Sequence, residues 1–282
     1  MKVALCCIGR LENRYVVEFV EYYKNLGVDN IFIYDNNYDG EEKFEDVLYK
    51  YIKNNFVIIE NFRNKPNCQT YAYYDCYNKY HKEYDYMIFV DFDEFIYLVK
   101  DKNIKEYLSR NINGYNVIQL NWKIYTDNNL IYDDGKLCLE RFIKPMEIYK
   151  SVKYNNCPDN YHTKCIIKCE FENIEFENPH IIKFNKNVKV CNNNFISKQN
   201  INTQNAFEFN KDGTIDYSLA YIKHFLTKTI EEYIINKMKR GTIEGGVEDM
   251  KKRYRNVFFN INERTKEKEA YCKKLNINSN IL

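Results

Sequence analysis

Residues 86–98, YMIFVDFDEFIYL, place Asp91, Asp93 and Glu94 within four consecutive positions of an otherwise apolar run. In extended backbone alternate side chains share a face, so Asp91 and Asp93 point to one side and Phe92 to the other. Two carboxylates aimed at one place repel unless a cation sits between them. Oxygen ligands suit a hard divalent ion, Mn²⁺ or Mg²⁺, which bridges carboxylates to the phosphates of a nucleotide. A solvated acidic turn is the ordinary alternative for a D-x-D. Here Phe95, Ile96, Tyr97 and Leu98 follow directly, so apolar residues wall the turn on both sides.

Such a turn needs a sheet to hold it, and the chain reads as one. KVALCCI is a buried strand, and Val16, Phe19, Val20 and Tyr23 then recur at helical spacing over residues 13–26, with Gly27 as C-cap. NIFIYD, FVIIE, YMIFVD and YNVIQLNW are further strands. Helices are expected over 41–54 and 66–82, the second opened by Pro66, with a short one before YNVIQLNW. This alternation predicts an α/β fold with a mostly parallel sheet flanked by helices. In such a sheet ligands collect beyond the carboxyl ends of the strands, where MIFV gives way to Asp91. One continuous domain is expected, with a nucleotide-binding half over 1–125 and an acceptor-binding half with C-terminal helices over 126–282. In the latter, Thr229 with Glu232 reads as a capping box and Gly241 as the end of its helix.

The 42 basic and 40 acidic residues of the 282 leave a net charge of +2, which gives no bulk field for nucleic acid. MKVALCCIGR is too short an apolar run to span a membrane and has no secretory cleavage pattern, so a cytoplasmic protein is expected. The ten cysteines are then read as reduced thiols. Cys157, His162, Cys165, Cys169 and His180 match no zinc-site spacing. MKKRYRNVFF, residues 250–259, gathers basic and aromatic residues in a composition suited to peripheral contact with an anionic bilayer, as for a lipid-linked acceptor.

CCIGRLENRYVVEFVEYYKNLGVDNIFIYDNN, VDFDEFI and KHFLTKTIEEYIINKMKRG resemble, in order and spacing, the blocks of glycosyltransferase family 92 and its bacterial relatives. The resemblance implies a GT-A fold and a transferase that moves a sugar, commonly from a UDP-sugar such as UDP-galactose, to a saccharide acceptor with inversion. Cell-surface polysaccharide or lipo-oligosaccharide synthesis is the implied setting. Carried over by position, Glu12, Asp35 and Asn36 sit at the nucleoside. Asp91 and Asp93 are the D-x-D, with Asp93 the direct metal ligand and Asp91 nearer the ribose and a metal-bound water. His224 completes the metal shell, which favours Mn²⁺ because manganese accepts imidazole more readily than magnesium. Lys237 and Arg240 face the diphosphate. Arg10 and Leu11 depart from the Lys and Asn common in the family. Inversion requires a carboxylate base, for which Asp127 is the first candidate, beside Trp122 as a sugar platform, and Asp159 and Glu244 are competitors.

Other chemistries are weighed by the same residues. Glu94 after the second aspartate, and the late position of the pair, argue against a haloacid-dehalogenase-type phosphatase. No G-x-x-x-x-G-K is present for a P-loop enzyme. A metal-dependent nucleotidyltransferase and a non-catalytic saccharide- or nucleotide-binding protein of the same fold stay open.

Overall fold

The computed structural model describes residues 1–147, 153–154, 157–203, 215–240 and 256–274. Strand β1 (Val3–Gly9) is apolar along its length, and every residue but Ile8 is buried, as in a strand covered on both faces. Its parallel neighbours are β2 (Asn30–Asp35) and β4 (Tyr86–Phe89), and β3 (Val57–Asn61) extends the sheet beyond β2. Helix α1 (Asn13–Leu26) buries Val16, Phe19, Val20 and Tyr23, and ends at Gly27, whose φ of 94° only glycine adopts without strain. Helices α2 (Glu45–Lys53) and α3 (Gln69–Tyr80) are both shorter than their patterns suggest. On one face of the sheet Ala72, Tyr73, Cys76 and Tyr77 of α3 pack with Ala4, Cys6, Phe32, Tyr34, Met87 and Phe89.

The expected alternation holds as far as β4. Then come β5 (Glu94–Leu98), α4 (Ile104–Ser109), β6 (Val117–Ile124) and α5 (Cys138–Arg141), followed by the two-residue strands β7 (Lys153–Tyr154) and β8 (Cys157–Pro158). Strands β9 (Thr163–Lys168), β10 (Glu175–Asn178), β11 (Ile181–Asn192), β12 (Ser197–Thr203) and β13 (Ala220–His224) complete the series. The main sheet runs β10-β11-β6-β9-β4-β1-β2-β3, with β12 beside β11 and β13 beside β5 and β6. It is therefore a mixed sheet. Strand β9 lies antiparallel between β4 and β6, pairing Ile88 with Ile166 and Tyr86 with Lys168, so the start of β9 lies at the carboxyl end of β4.

The chain forms two compact units, Met1–Trp122 with Tyr161–Lys223, and Lys123–Asn160 with His224–Leu282. The second has its own core of Ile230, Tyr233, Met238, Phe258 and Cys272. The expected capping box is present at the start of α6 (Ile230–Glu232), with Thr229 accepting from the Glu232 N–H and Glu232 reaching back to the Thr229 N–H. Beyond it the winding becomes π-helical over Tyr233–Met238, and Gly241 lies outside the described residues. Phe258 is fully buried in this core, so it faces protein rather than a bilayer, and residues 250–255 of the basic segment lie outside the described residues. No described helix is long and apolar enough to cross a membrane.

The turn between β4 and β5 is held from behind by Phe92, which packs between Phe19 and Phe44 at ring-centroid distances of 4.9 and 5.4 Å. Its ring lies directly on Gly9 at the end of β1, where an added Cβ would come within 2.3 Å of it. Gly9→Ala forces this ring out of a packed site, so a loss of about 1–3 kcal/mol in urea unfolding is expected. Adding Phe92→Leu should recover part of that loss. Wild-type stability of Gly9→Ala would show that the ring does not fix the turn.

Candidate active site

The turn closes on itself through two hydrogen bonds: the Glu94 N–H donates to the Asp91 carbonyl at 3.0 Å, and the Asp91 N–H to Glu94 Oε2 at 2.9 Å. Tyr23 of α1 accepts from the Ile96 N–H at 3.1 Å and donates to the Glu94 carbonyl at 2.9 Å, and Tyr22 donates to the Ile96 carbonyl at 2.7 Å. These tyrosines fasten the first residues of β5 to a helix already packed on the sheet.

The Asp91 carboxylate accepts from three side chains. Its Oδ1 accepts from Gln69 Nε2 at 2.6 Å and from the Tyr73 hydroxyl at 3.1 Å, both on α3. Its Oδ2 accepts from Lys164 Nζ at 3.0 Å. Lys164, 1% exposed on β9, also lies 3.9 Å from Glu94, which is fully buried, and 5.7 Å from the centre of the Tyr73 ring. Asp93 is buried beside them. Burial pulls the Lys164 ammonium down, but Asp91 and Glu94 outweigh it and hold the group above its ordinary range, so it is charged. Burial pushes the Glu94 carboxyl well up, and Asp91 and Asp93 add to the push against the pull of Lys164.

Asp91, Asp93 and Glu94 stand close enough to act on one another and on Lys164, and carboxyl oxygens so gathered are of the type that suits a hard divalent ion. The fit is uneven across the D-x-D. An ion ligated by Asp91 Oδ2 would lie at most about 5 Å from Lys164 Nζ, and at an effective dielectric near 20 their repulsion is about 7 kcal/mol. Asp91 is thus unsuited to direct ligation while Lys164 stays in place. Glu94 Oε1, by contrast, is buried without a hydrogen-bond partner. Among the described residues no three His, Cys, Asp or Glu side chains are gathered as a ready metal cage.

At the end of β2 the expected nucleoside contacts are largely engaged with the chain itself. Asp35 Oδ1 accepts from the N–H and side-chain amide of Asn37 at 2.9 and 2.7 Å, and Oδ2 pairs with Arg63 Nη1 at 2.6 Å. Asn36 donates to the carbonyls of Phe62 and Lys65, and Asn37 accepts from the N–H of Leu11, which sits at a φ of 58°. Glu12 is buried at the start of α1, where its carbonyl accepts the first helical N–H groups. Arg10 spans the rim, bidentate to Glu41 and 3.9 Å above the Tyr38 ring. Lys164, Gln69 and Arg63 were not singled out from sequence. The signal for Lys164 was a lysine leading an alternating strand, a position that normally reads as solvated.

In the second unit His224 is buried on β13, and its carbonyl accepts the Tyr125 N–H at 3.0 Å. Lys237, half-buried in the π-helical stretch, donates to the Leu226 carbonyl, and Arg240 is half-buried two residues beyond its end. Asp159 lies in a 3₁₀ turn, Asp159–Tyr161, and Glu244 lies outside the described residues. In the first unit Trp122 is buried with the His162 ring stacked on it at 4.9 Å, so it offers no open platform for a sugar.

Asp127 is 1% exposed, and its Oδ2 lies 2.6 Å from the buried Lys268 Nζ. Burial raises its carboxyl above the usual range, and Lys268 offsets this only in part. A general base needs a face open to the acceptor, and this carboxylate is enclosed. Lys268→Met, which strands the carboxylate without its counter-ion, is expected to cost about 3–5 kcal/mol in urea unfolding, more than Asp127→Asn/Lys268→Met together. Equal stabilities for the two proteins would remove the structural role of the pair.

The model of the family described as "Glycosyltransferase family 92" matches residues 3–250. A curated relative, glycosyltransferase family 92 protein RCOM_0530710 of Ricinus communis, is 28% identical over 120 residues, which cover 42% of this chain and 21% of that protein. The chain thus aligns with about a fifth of that relative. Among solved structures, S. aureus TarS 1-349 in complex with UDP-GlcNAc superposes with a TM-score of 0.39 at 13% identity, covering 60% of this chain and 46% of that one. GalNAc-T7 with UDP, GalNAc and Mn²⁺ does so with a TM-score of 0.36 at 12% identity, covering 60% and 35%. With its family's blocks in order along a match that spans most of its length, the chain belongs to glycosyltransferase family 92.

Proposed function

We propose that this chain is a divalent-ion-dependent glycosyltransferase that takes a sugar from a UDP-sugar donor, such as UDP-galactose, and transfers it with inversion to a saccharide or lipid-linked saccharide in cell-surface glycan synthesis. Family membership supports the reaction class. The observation that carries the site is the turn at the carboxyl end of β4, where Asp91, Asp93 and Glu94 stand together and Asp91 is fixed by Lys164.

Asp93 is the residue we assign to the ion, Mn²⁺ in preference to Mg²⁺, with Asp91 acting on the donor ribose and on water. When bound, the ion supplies Lewis-acid stabilisation of the departing nucleoside diphosphate. The chain's own residues do the rest. Gln69, Tyr73 and Lys164 fix the Asp91 carboxylate before the donor arrives, so no reorganisation is needed at the moment of reaction. Arg63 and Asn37 neutralise and orient Asp35. His224, Lys237 and Arg240 keep their proposed roles toward the ion and the diphosphate, each to be tested by its own substitution. For the base, Asp159 and Glu244 rank ahead of Asp127, because Asp127 is already engaged with Lys268.

A thermal-shift panel of nucleotide sugars with and without Mn²⁺, followed by a transfer assay, tests the reading. One UDP-sugar is expected to raise Tm in a Mn²⁺-dependent way, since a ligand at 100 times its Kd stabilises by about 2.7 kcal/mol. Asp93→Asn should keep the fold and lower turnover by on the order of a hundredfold or more. A shift without transfer to any saccharide would favour the non-catalytic binder. Full activity of Asp93→Asn, or of wild type in excess chelator, would sink the metal mechanism.

A further inference from the structure

A lysine at 1% exposure, inserted by the one antiparallel strand next to β4, is an unusual neighbour for half of a D-x-D. Its position is built, not incidental. Lys164 lies 3.0 Å from Asp91 Oδ2, 3.9 Å from Glu94 and over the Tyr73 ring, so its charge is answered on several sides within one unit. The other Asp91 oxygen is filled by Gln69 and Tyr73. All three partners of this carboxylate are donors, and donors compete with a metal for the same lone pairs. Glu94, by contrast, is fully buried with Oε1 unpartnered.

We infer that Lys164 is a permanent internal counter-cation of Asp91, a positioning residue that keeps the divalent ion off this carboxylate and confines its direct ligation to Asp93 and the donor phosphates. The inference rests on the reading of the turn as the ion and donor site. Two consequences separate it from a lysine that merely stabilises the fold. The free protein binds Mn²⁺ weakly, because half of the acidic motif is already neutralised, and the ion loads together with the nucleotide. Removing the ammonium turns Asp91 into a metal ligand that the wild type lacks.

Mn²⁺ uptake is followed by the loss of the free-ion electron paramagnetic resonance signal, with and without uridine diphosphate, in wild type, Lys164→Met, Lys164→Arg and Lys164→Met/Asp91→Asn. The expected result is that Lys164→Met binds Mn²⁺ without nucleotide at least about tenfold more tightly than wild type, as removal of one nearby positive charge predicts. Lys164→Arg should stay at the wild-type value, and Asp91→Asn in the Lys164→Met background should abolish the gain. A folded Lys164→Met with unchanged or weaker Mn²⁺ affinity overturns the inference. Should that variant not fold, wild type decides alone. Anomalous diffraction at the manganese edge from crystals with Mn²⁺ and uridine diphosphate locates the ion. An ion on Asp93 with Lys164 still on Asp91 supports the inference, and an ion within about 2.5 Å of an Asp91 oxygen overturns it. No Mn²⁺ uptake by wild type with any nucleoside diphosphate overturns the metal-site reading and this inference together. Ion binding through Asp91 overturns the inference and leaves that reading intact.

Discussion

A carboxylate drawn partly out of water needs its lone pairs met, and Asp91 is met by a contact set that no single element supplies. Gln69 and Tyr73 come from α3 and Lys164 from β9. Lys164 reaches the carboxyl end of β4 because β9 runs antiparallel between β4 and β6 and begins there, so the start of a strand, and not its end, supplies the ammonium.

A rigid turn also needs a back wall. Phe92 supplies it by lying on Gly9 and between Phe19 and Phe44, while Tyr22 and Tyr23 fasten the next strand through its backbone. Helix α1 thus serves the site twice, with its apolar stripe on the sheet and its tyrosine hydroxyls on β5. Charged groups held by such packing are already oriented before a ligand binds, and electrostatic catalysis depends on that condition.

Much of this was legible in the residues. Hydrophobic period gave β1 to β4 and α1, the Gly27 stop is a backbone necessity, and Thr229 with Glu232 announced the cap that is present. Phe92 is buried, but in a turn closed by the Glu94 N–H on the Asp91 carbonyl and not in the extended backbone that the alternation assumed. What could not be read was tertiary. Strand direction leaves no mark on a run such as TKCIIK, so neither the antiparallel course of β9 nor the burial of its lysine could be read from it. Residues 95–98 looked like a wall because an apolar tetrapeptide carries no sign of the β13 partner that makes Glu94–Leu98 a strand. Asp127 drew notice as an acidic residue past a strand, whereas its counter-ion Lys268 is 141 positions away and no local pattern links them.

The two strand-ending aspartates of the first unit, Asp35 on β2 and Asp91 just past β4, present the same electrostatic problem and share a solution. A nucleoside diphosphate brings negative charge to a rim of carboxylates, and unscreened carboxylates would repel it. Each aspartate already has a cation of its own, Arg63 at 2.6 Å and Lys164 at 3.0 Å. These pairs are largely withdrawn from solvent on the cation side, so salt screens them far less than surface pairs. The chain thereby neutralises both carboxylates in its folded state, so under the proposed function a nucleoside diphosphate would meet neither aspartate as an unpaired negative charge.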